Sequence, residues 1–272
     1  MKKLVVSILA ILLLVGCTTP SNGNNGRKTL TIGMECDYAP FNWTQIEDSD
    51  TAVLIAGGQA GYCDGYDVAV ARFIANELDY DLVIKKIEWD GLAIAVQNDE
   101  IDLIIAGMTD TPERRESLDF TTPYYASTMV LIVRADSMYA NATDIQDFNG
   151  ANVVAQLNTF HVDLIDQIDG VIKATPMKTF PLMTVALQQG AVDAMVSEEP
   201  VAESIVASNP DLIYITFADG RGFDAGDFET VSIALRKNNT ELFNLVQAAL
   251  DKISIDQRVQ MMTDAQGRQP EE

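Results

Sequence analysis

The chain of 272 residues is long enough for one large or two small domains. Its 40 acidic residues outnumber 18 Lys and Arg, and the net charge of −22 disfavours nucleic acid and anionic lipid as partners. One His and three Cys leave little for a transition-metal site, so we expect neither a metal nor a cofactor.

The N-terminal segment has the pattern of a lipoprotein signal peptide. Lys2 and Lys3 precede an uncharged run, residues 4–15, which is too short to span a bilayer as a mature helix. The run ends in Leu-Val-Gly-Cys, which resembles the bacterial lipobox, where a peptidase cleaves before the Cys and a lipid is attached to its sulfur. We interpret 1–16 as the signal peptide and Cys17 as the lipidation site. The alternative is an ordinary secretory signal with an incidental Cys.

The segment that follows, residues 17–28, is polar and rich in Gly and Asn. Such a composition has nothing to bury, so we expect a flexible tether between the lipid and the folded part. No later stretch of the sequence approaches membrane-spanning length. We therefore predict an extracytoplasmic protein that is anchored to the cell membrane by the lipid on Cys17.

Strands and helices alternate through the rest of the chain, which predicts an α/β fold. A first series has strands at 30–33, 82–87 and 101–106 and helices at 67–78 and 92–97, with 44–61 as an irregular excursion. A second series has strands at 129–133, 152–155, 171–174, 192–196, 212–216 and 231–235 and helices at 160–168 and 180–189. Two helices close the chain, and Ser254 with Gln257 forms a predicted capping box for the last one.

The two series contain a matching segment. Residues 95–105 and 186–196 each combine a helix end, a tight turn, an Asp (Asp102 or Asp193) and a buried strand. The match suggests two lobes of similar design, with Gly107 and Glu198 at the carboxyl ends of equivalent strands. Ligands of open α/β sheets bind at that edge. The repeat therefore predicts that these two residues face one cleft from opposite sides.

Arg114 is the first candidate for binding an anion. It lies in the first turn of a short predicted helix that Thr111 caps and Pro112 begins. A cation there opposes the helix dipole, which indicates another role, and its planar fork fits a carboxylate with two hydrogen bonds. The alternative is a surface Arg paired with Glu113 or Glu116.

Glu198 and Thr159 follow predicted strands and are further candidates. Glu198 could meet an ammonium group, or could cap the helix that begins near Pro200. Thr159 opens a helix, where its N–H could meet a carboxylate and its side chain could serve as a plain N-cap. Cys36 and Cys63 could form a disulfide outside the cell, or remain free or buried thiols; the sequence leaves both open.

Motifs spread over the whole mature chain resemble the polar amino-acid family of solute-binding proteins of ABC importers. They are Ile32-Gly33, Tyr38-Ala39-Pro40-Phe41, Gly65-Tyr66-Asp67-Val68, Glu88-Trp89-Asp90-Gly91-Leu92, Ile101-Asp102, Gly107-Met108-Thr109, Arg114, Asp119-Phe120-Thr121, Pro123-Tyr124-Tyr125, Val192-Asp193-Ala194 and Ala234-Leu235-Arg236-Lys237. The resemblance implies the type II periplasmic-binding-protein fold, in which two α/β lobes are joined by two hinge strands with the ligand cleft between them. Lobe 1 would comprise 29–126 and 228–272, lobe 2 would comprise 127–227, and the hinges would lie near 125–128 and within 220–230.

The same resemblance assigns roles at the backbone end of an amino-acid ligand. Arg114 would bind the α-carboxylate, helped by the backbone N–H groups of Thr109 and Thr159. The α-ammonium would meet the Gly107 carbonyl, the Thr109 hydroxyl and Glu198. The family usually has Asp at the last position, so the extra methylene of Glu198 predicts a slightly altered pocket.

At the other end of the ligand, Tyr38 and Trp89 match positions whose rings sandwich the ligand side chain. Glu35 matches the acid that arginine- and lysine-binding relatives place against the distal cation. A buried acid between aromatic rings is costly unless a cation meets it, so we predict arginine or lysine as the ligand. The alternatives are another polar amino acid, such as glutamine or histidine, and a Glu35 that points to solvent.

The resemblance implies a monomeric transport protein whose partners are the permease and ATPase subunits of an ABC importer. We do not expect an enzyme, because nothing marks a poised acid or base in the cleft, and His161, in the first turn of a helix, is interpreted as structural. An extracytoplasmic enzyme or a sensor domain of the same fold is the alternative.

Overall fold

The computed structural model describes residues 26–269. The predicted signal peptide (1–16), the lipidation site Cys17 and most of the predicted tether lie outside the described residues and stay predictions. Within the described part, no helix combines the length and the apolar character that a membrane crossing requires.

The described residues form short strands and helices in the predicted alternation. The strands are β1 (Thr29–Met34), β2 (Asp37–Tyr38), β3 (Asn42–Gln45), β4 (Val53–Leu54), β5 (Tyr62–Asp64), β6 (Asp81–Lys86), β7 (Leu103–Ile104), β8 (Leu118–Ala126), β9 (Met129–Arg134), β10 (Asn152–Val154), β11 (Ile172–Lys173), β12 (Ala194–Glu198), β13 (Leu212–Ile215) and β14 (Thr230–Arg236). The helices are α1 (Tyr66–Glu77), α2 (Trp89–Gln97), α3 (Pro112–Arg115), α4 (His161–Leu164), α5 (Phe180–Gln188), α6 (Glu199–Ser208), α7 (Thr240–Leu250) and α8 (Ile255–Arg268). Short 3-10 turns are Ile145–Phe148, Ile165–Gln167 and Gly226–Glu229.

Two five-stranded sheets share one topology. The first has the order β6-β1-β7-β14-β8 and the second has the order β11-β10-β12-β9-β13. In each sheet the first three strands are parallel and the fourth runs antiparallel to both of its neighbours. The expected pair of similar α/β lobes is therefore present, and we call the elements around these sheets the first and second lobes.

The central strands of both sheets are buried on both faces. In β9, Val130 and Ile132 pack into a core shared with the first lobe, while Leu131 and Val133 pack into a separate core on the other face of the second sheet. Successive side chains of a strand point to opposite faces, so a strand covered on both sides needs a continuous apolar run. This requirement explains the uninterrupted apolar stretches in the sequence.

The sequence repeat has the same structure in both lobes. The Asp102 carboxylate accepts a hydrogen bond from the Thr31 N–H at 2.8 Å, and the Asp193 carboxylate accepts one from the Asn152 N–H at 2.9 Å. The tight turns also match, because Asp99 and Gly190 occupy equivalent positions with φ values of 58° and 71°. Each Asp thus ties the start of its buried strand to the neighbouring parallel strand, and the predicted equivalence is confirmed.

Gly190→Ala is expected to lower the free energy of unfolding by about 1 kcal/mol, because a side chain disfavours the left-handed conformation. The added Cβ would approach the Arg134 guanidinium no closer than 3.7 Å, so strain and not a clash causes the loss. Urea denaturation measures the change. Gly267→Ala is the control: it lies in α8 with no atom within 4 Å of the new Cβ, and should stabilise slightly. Equal destabilisation by both substitutions would contradict this explanation.

Three predicted elements differ from the structure. Residues 44–61 are not irregular throughout, because parts of them join a small sheet of order β2-β3-β5-β4 whose strands are too short for periodicity to detect. The predicted helix 160–168 is one turn of α-helix followed by a 3-10 turn that ends at Gln167. Of the predicted strand 101–106, only Leu103–Ile104 is assigned as strand, since an apolar run reports burial and not pairing.

The two cysteines of the described residues are oxidised and not free thiols. Cys36 and Cys63 form a disulfide, with their Cα atoms 5.7 Å apart. The bond connects the segment after β1 to β5, and it lies in the buried core of the first lobe. The predicted capping box at the start of α8 is also present, because Ser254 and Gln257 exchange side-chain and backbone hydrogen bonds.

Candidate functional site

A small cavity between the two lobes contains every predicted ligand-binding residue. Its lining consists of Glu35, Tyr38, Trp89, Ala106, Gly107, Thr109, Arg114, Gln156, Thr159, Phe160, His161 and Glu198. The cavity has a volume of about 20 Å³, whereas a cavity of about 500 Å³ lies elsewhere, at the segments that join β8 to β9 and β13 to β14. Volume does not identify the site; the convergence of buried charged groups from both lobes does.

Arg114 is a partly buried cation beside the cavity. Its Nη1 donates to the Thr109 carbonyl at 2.7 Å and its Nη2 donates to the Asn158 carbonyl at 3.2 Å, while its guanidinium lies 5.0 Å from the centre of the Trp89 ring. Burial lowers the pKa of Arg114 to about 10. Among the described residues Arg114 forms no ion pair, so the predicted alternative of pairing with a neighbouring Glu does not occur.

The short helix α3 holds Arg114 in place. The Thr111 side chain accepts a hydrogen bond from the Arg114 N–H at 3.3 Å, and Pro112 starts the helix, as the sequence predicts. The helix ends after one turn. Arg114 therefore projects from a capped, rigid turn, which fixes the direction of its guanidinium.

Glu198 lies on the opposite side of the cavity and is 3% exposed. The Tyr38 hydroxyl donates a short hydrogen bond to its Oε2, and His161 Nε2 lies 3.3 Å from its Oε1. Burial acts to raise the pKa of Glu198, but the His161 imidazole and the Tyr38 hydroxyl outweigh it, and the pKa is lowered. Glu198 is therefore a buried carboxylate, and its side chain does not cap α6, although its backbone holds the N-cap position.

At Gly107 the backbone of the first lobe comes close to the ring of Tyr38, the residue that donates to Glu198. The φ of Gly107 is 59°, and a Cβ added there would lie 2.8 Å from Cε1 of Tyr38. Its N–H donates to the Tyr124 hydroxyl at 3.0 Å, which in turn donates to the buried Asp67 carboxylate at 2.6 Å. Only glycine fits both the backbone conformation and the contact with the Tyr38 ring.

Gly107→Ala should lower the free energy of unfolding by about 1–3 kcal/mol, because it combines left-handed strain with a clash. It should also weaken amino-acid binding, since the displaced Tyr38 ring loses its contact with Glu198. Gly150→Ala is the matched control, with a φ of 80° but no atom within 4 Å of the new Cβ. Thermal melts and calorimetric titration measure both effects. Identical losses for the two variants would show that the Tyr38 contact is unimportant.

Glu35 is a second buried carboxylate, 6% exposed. Its oxygens accept from Gln156 Nε2 at 3.1 and 3.4 Å, and the same nitrogen donates to the Lys178 carbonyl at 3.0 Å. Burial raises the pKa of Glu35 to about 7, because the Gln156 hydrogen bond only partly offsets the cost of removing the charge from water. The side chain points into the cavity and not to solvent.

The rims of the two lobes touch beside the cavity. Trp89 Nε1 donates to the Asn158 carbonyl at 3.1 Å, the Asn158 side chain donates to Asp90 at 2.6 Å, and Lys178 pairs with Glu88 at 3.2 Å. These contacts define a closed arrangement. A volume of about 20 Å³ is little more than the minimum for one water molecule, so the lobes must separate before a larger ligand can enter.

Thr109 and Thr159 line the cavity from the first and second lobes. Thr109 is 3% exposed, and its carbonyl accepts from Arg114. The Thr159 hydroxyl donates to the Gln156 carbonyl at 2.7 Å, and the N-cap residue of α4 is Phe160, without a side-chain cap. Thr159 is therefore part of a tight turn at the cavity and not a plain N-cap.

Sequence reasoning missed Gln156 and His161 as residues of the cavity. Gln156 follows β10, a parallel strand of the second sheet, so the rule that ligands bind at carboxyl ends of strands could have found it. His161 was interpreted as structural, yet it faces Glu198. The described residues contain no cluster of His, Cys, Asp or Glu that could hold a metal ion.

Comparison with known families agrees with this architecture. The profile of the bacterial extracellular solute-binding proteins, family 3, matches residues 30–265. The arginine-binding extracellular protein ArtP of Bacillus subtilis is 26% identical over 252 residues, which cover 90% of this chain and 91% of ArtP.

Solved structures show the same fold. The amino-acid ABC transporter substrate-binding protein AbpA of Streptococcus pneumoniae, bound to L-arginine, has a TM-score of 0.74 and 26% identity, covering 88% of this chain and 94% of AbpA. An ancestral arginine-binding protein bound to glutamine has a TM-score of 0.72 and 27% identity, covering 88% of this chain and 97% of that protein. The expected two-lobed type II fold is confirmed.

Proposed function

This chain belongs to the bacterial extracellular solute-binding proteins of family 3, and from that premise we propose that it is the substrate-binding subunit of an amino-acid ABC importer. It binds a free amino acid between two closing lobes. The family and the relatives are solute-binding proteins and not enzymes, which confirms the expectation that the chain is not an enzyme.

One observation carries the amino-acid assignment: an unpaired cation and a buried carboxylate face the same small cavity from different lobes. Arg114 has no ion-pair partner among the described residues, and Glu198 is 3% exposed. An α-amino acid carries the complementary charges, a carboxylate and an ammonium group, on the same carbon atom. In our proposal Arg114, with the N–H groups of Thr109 and Thr159, binds the carboxylate. Glu198, with the carbonyl of Gly107, binds the ammonium.

The preferred ligand in this proposal is arginine or lysine. Glu35 supplies a further negative charge inside the cavity, and the rings of Tyr38 and Trp89 favour a cationic side chain between them. A cation next to Glu35 would offset the cost of burying its charge. The similarity to ArtP and to arginine-bound AbpA supports this choice.

A neutral polar amino acid such as glutamine is the second candidate. The pKa of Glu35 is raised to about 7, so the side chain can be protonated near neutral pH and can donate a hydrogen bond to an amide. Gln156, beside it, offers further amide groups. The ancestral arginine-binding protein bound to glutamine has a related fold and holds a neutral polar amino acid.

Lobe motion completes the mechanism that we propose. Residues 29–126 with 228–272 form one moving body and 127–227 the other, with hinges near 125–128 and within 220–230. The sheet topology supports this division, because within residues 26–269 the chain passes between the two five-stranded sheets only from β8 to β9 and from β13 to β14. The ligand touches both lobes and so favours the closed state by its differential contacts, and the permease then recognises the closed form.

Isothermal titration of the purified protein against arginine, lysine, histidine, glutamine and glutamate tests the proposal. Tight binding of arginine or lysine is expected. Binding of glutamine or histidine alone would keep the transport function and replace the ligand. Failure of every amino acid to bind would overturn the function.

We also propose that the mature protein is a monomer, anchored outside the cell membrane by a lipid on Cys17. Membership of an extracellular family supports this location, and the sequence before residue 18 supports the anchor. Metabolic labelling with radioactive palmitate should mark the wild-type protein and not Cys17→Ser. Labelling of both proteins would exclude Cys17 as the lipid site.

A further inference from the structure

His161 is a buried residue whose imidazole lacks the hydrogen bonds that a buried polar side chain normally makes. It begins α4, is 3% exposed, and lines the cavity between the lobes. Nε2 lies 3.3 Å from Glu198 Oε1, within ion-pair range, but at angles that do not make a hydrogen bond. Within residues 26–269 neither ring nitrogen has a hydrogen-bond partner. Buried polar atoms without partners are rare in folded proteins, so this imidazole requires a reason.

The groups around His161 identify Glu198 as the one that it acts on. Glu198 has one oxygen occupied by the Tyr38 hydroxyl and the other next to His161. The other neighbour of the imidazole is the uncharged ring of Phe160, and the centres of the two rings are 4.6 Å apart. The other ionisable groups of the cavity are Glu35, Tyr38 and Arg114; on α4 and the turn after it, Asp163 and Asp166 are exposed.

We propose that His161 is a positioning residue for the ammonium subsite. As an imidazolium it pairs with Glu198 and competes with the ligand, and as a neutral imidazole it leaves Glu198 free for the α-ammonium. Where the imidazole is charged in the free protein, binding of an amino acid therefore releases its proton to solvent. The inference rests on the proposed function. It adds that protonation of His161 decides whether Glu198 is available to the ligand, which Glu198 alone would not do.

Electrostatics gives the reason for the competition. The ligand ammonium and the imidazolium would both have to lie against one carboxylate, within roughly 4 Å of each other, and like charges at that distance repel strongly in a buried site. Imidazole is the side chain that ordinarily changes its charge between about pH 5 and 8. The competition therefore becomes stronger as the pH falls.

The chain allows a direct test, because it contains one His and so gives one imidazole signal in NMR. The measurements use arginine as the probe and a Glu35→Gln background, since Glu35 would itself bind a proton in this range. We expect the imidazole to titrate at lower pH with arginine bound than without. We expect the Kd for arginine to rise as the pH falls from 7.5 to 5.5, by no more than about tenfold for each pH unit, as for competition with one proton.

His161→Gln in the same background keeps a polar side chain that cannot become charged, and it should make the Kd nearly independent of pH. Calorimetry in two buffers of different ionisation enthalpy should detect the released proton only when His161 is present. An imidazole whose titration ignores arginine, or equal pH dependence with and without His161, would overturn the inference. Failure of the wild-type protein, with Glu35 in place, to bind arginine, lysine or any other amino acid at every pH would instead overturn the proposed function.

Discussion

Replacing Arg114 with Ala should raise the Kd for the amino-acid ligand by roughly 150-fold, or about 3 kcal/mol, because the ligand carboxylate would be buried without its counter-ion. The guanidinium is held in position by two backbone carbonyls and the Trp89 ring, so the substitution removes a cation that is already oriented toward the cavity. Isothermal titration at pH 7.5 measures the loss.

Arg115→Ala is the matched control for this prediction. It lies next to Arg114 in the same helix, but its side chain is exposed and pairs with Asp110. Its removal should leave the Kd unchanged. Equal losses in both variants would indicate a disturbed α3, and unchanged binding by Arg114→Ala would show that the carboxylate is held by other groups.

Glu35→Gln should raise the free energy of unfolding at pH 8 by about 2 kcal/mol. The pKa of Glu35 is raised from 4.5 to about 7 in the folded protein, so the folded state binds more protons than the unfolded state between these values. Stability therefore falls as pH rises through this window, by about 1.4 kcal/mol for each unit of pKa. Opening of the lobes would let water reach Glu35, so the loss of stability should be smaller than the whole pKa shift would give.

Urea denaturation at pH 4 and pH 8 tests this expectation. The difference between Glu35→Gln and wild type should be present at pH 8 and absent at pH 4. Glu47→Gln, at an exposed carboxylate of the same lobe, is the control and should show no difference at either pH. A variant that is less stable than wild type at pH 8 would mean that the buried charge is favourable.

The same substitution should have the opposite effect on binding. Glu35→Gln removes a charged hydrogen-bond partner, worth about 1.5–3 kcal/mol, and should weaken arginine or lysine binding by roughly 10- to 150-fold. Glutamine binding should change little. A stabilised protein that binds cationic amino acids less well would show that this acid is retained for the ligand and not for the fold.

Much of the site could be predicted because an internal repeat fixes it. Asp102 and Asp193 tie equivalent strands to their neighbours, and that equivalence places Gly107 and Glu198 at corresponding strand ends. A tight turn, an Asp and a buried strand are local features, so a single sequence contains them. The resemblance to a known family then supplied Glu35, Tyr38 and Trp89, which spacing alone could not identify.

The missed contacts join residues that are far apart in the sequence, and only the second of them crosses from one lobe to the other. His161 faces Glu198, and Gln156 faces Glu35 across 121 residues of sequence. Neither pairing follows from periodicity, because periodicity predicts which residues are buried and not which buried residues meet. The small sheet around β4 was missed for another reason: a strand of two residues has no period, and its position is set by the disulfide and the neighbouring strands.

The contacts that close the cleft also set a ceiling on affinity. Arg114 already donates to two carbonyls and Glu198 already accepts from Tyr38, so a ligand exchanges hydrogen bonds and does not simply add them. The apparent dissociation constant is the intrinsic one divided by the fraction of molecules that are open. The Glu88–Lys178 pair at the rim is made whenever the lobes close, with or without a ligand. A mutation that loosened only this pair would raise the open fraction and weaken the closed complex together, so the rim sets how often the cleft opens and not how tightly the ligand is held.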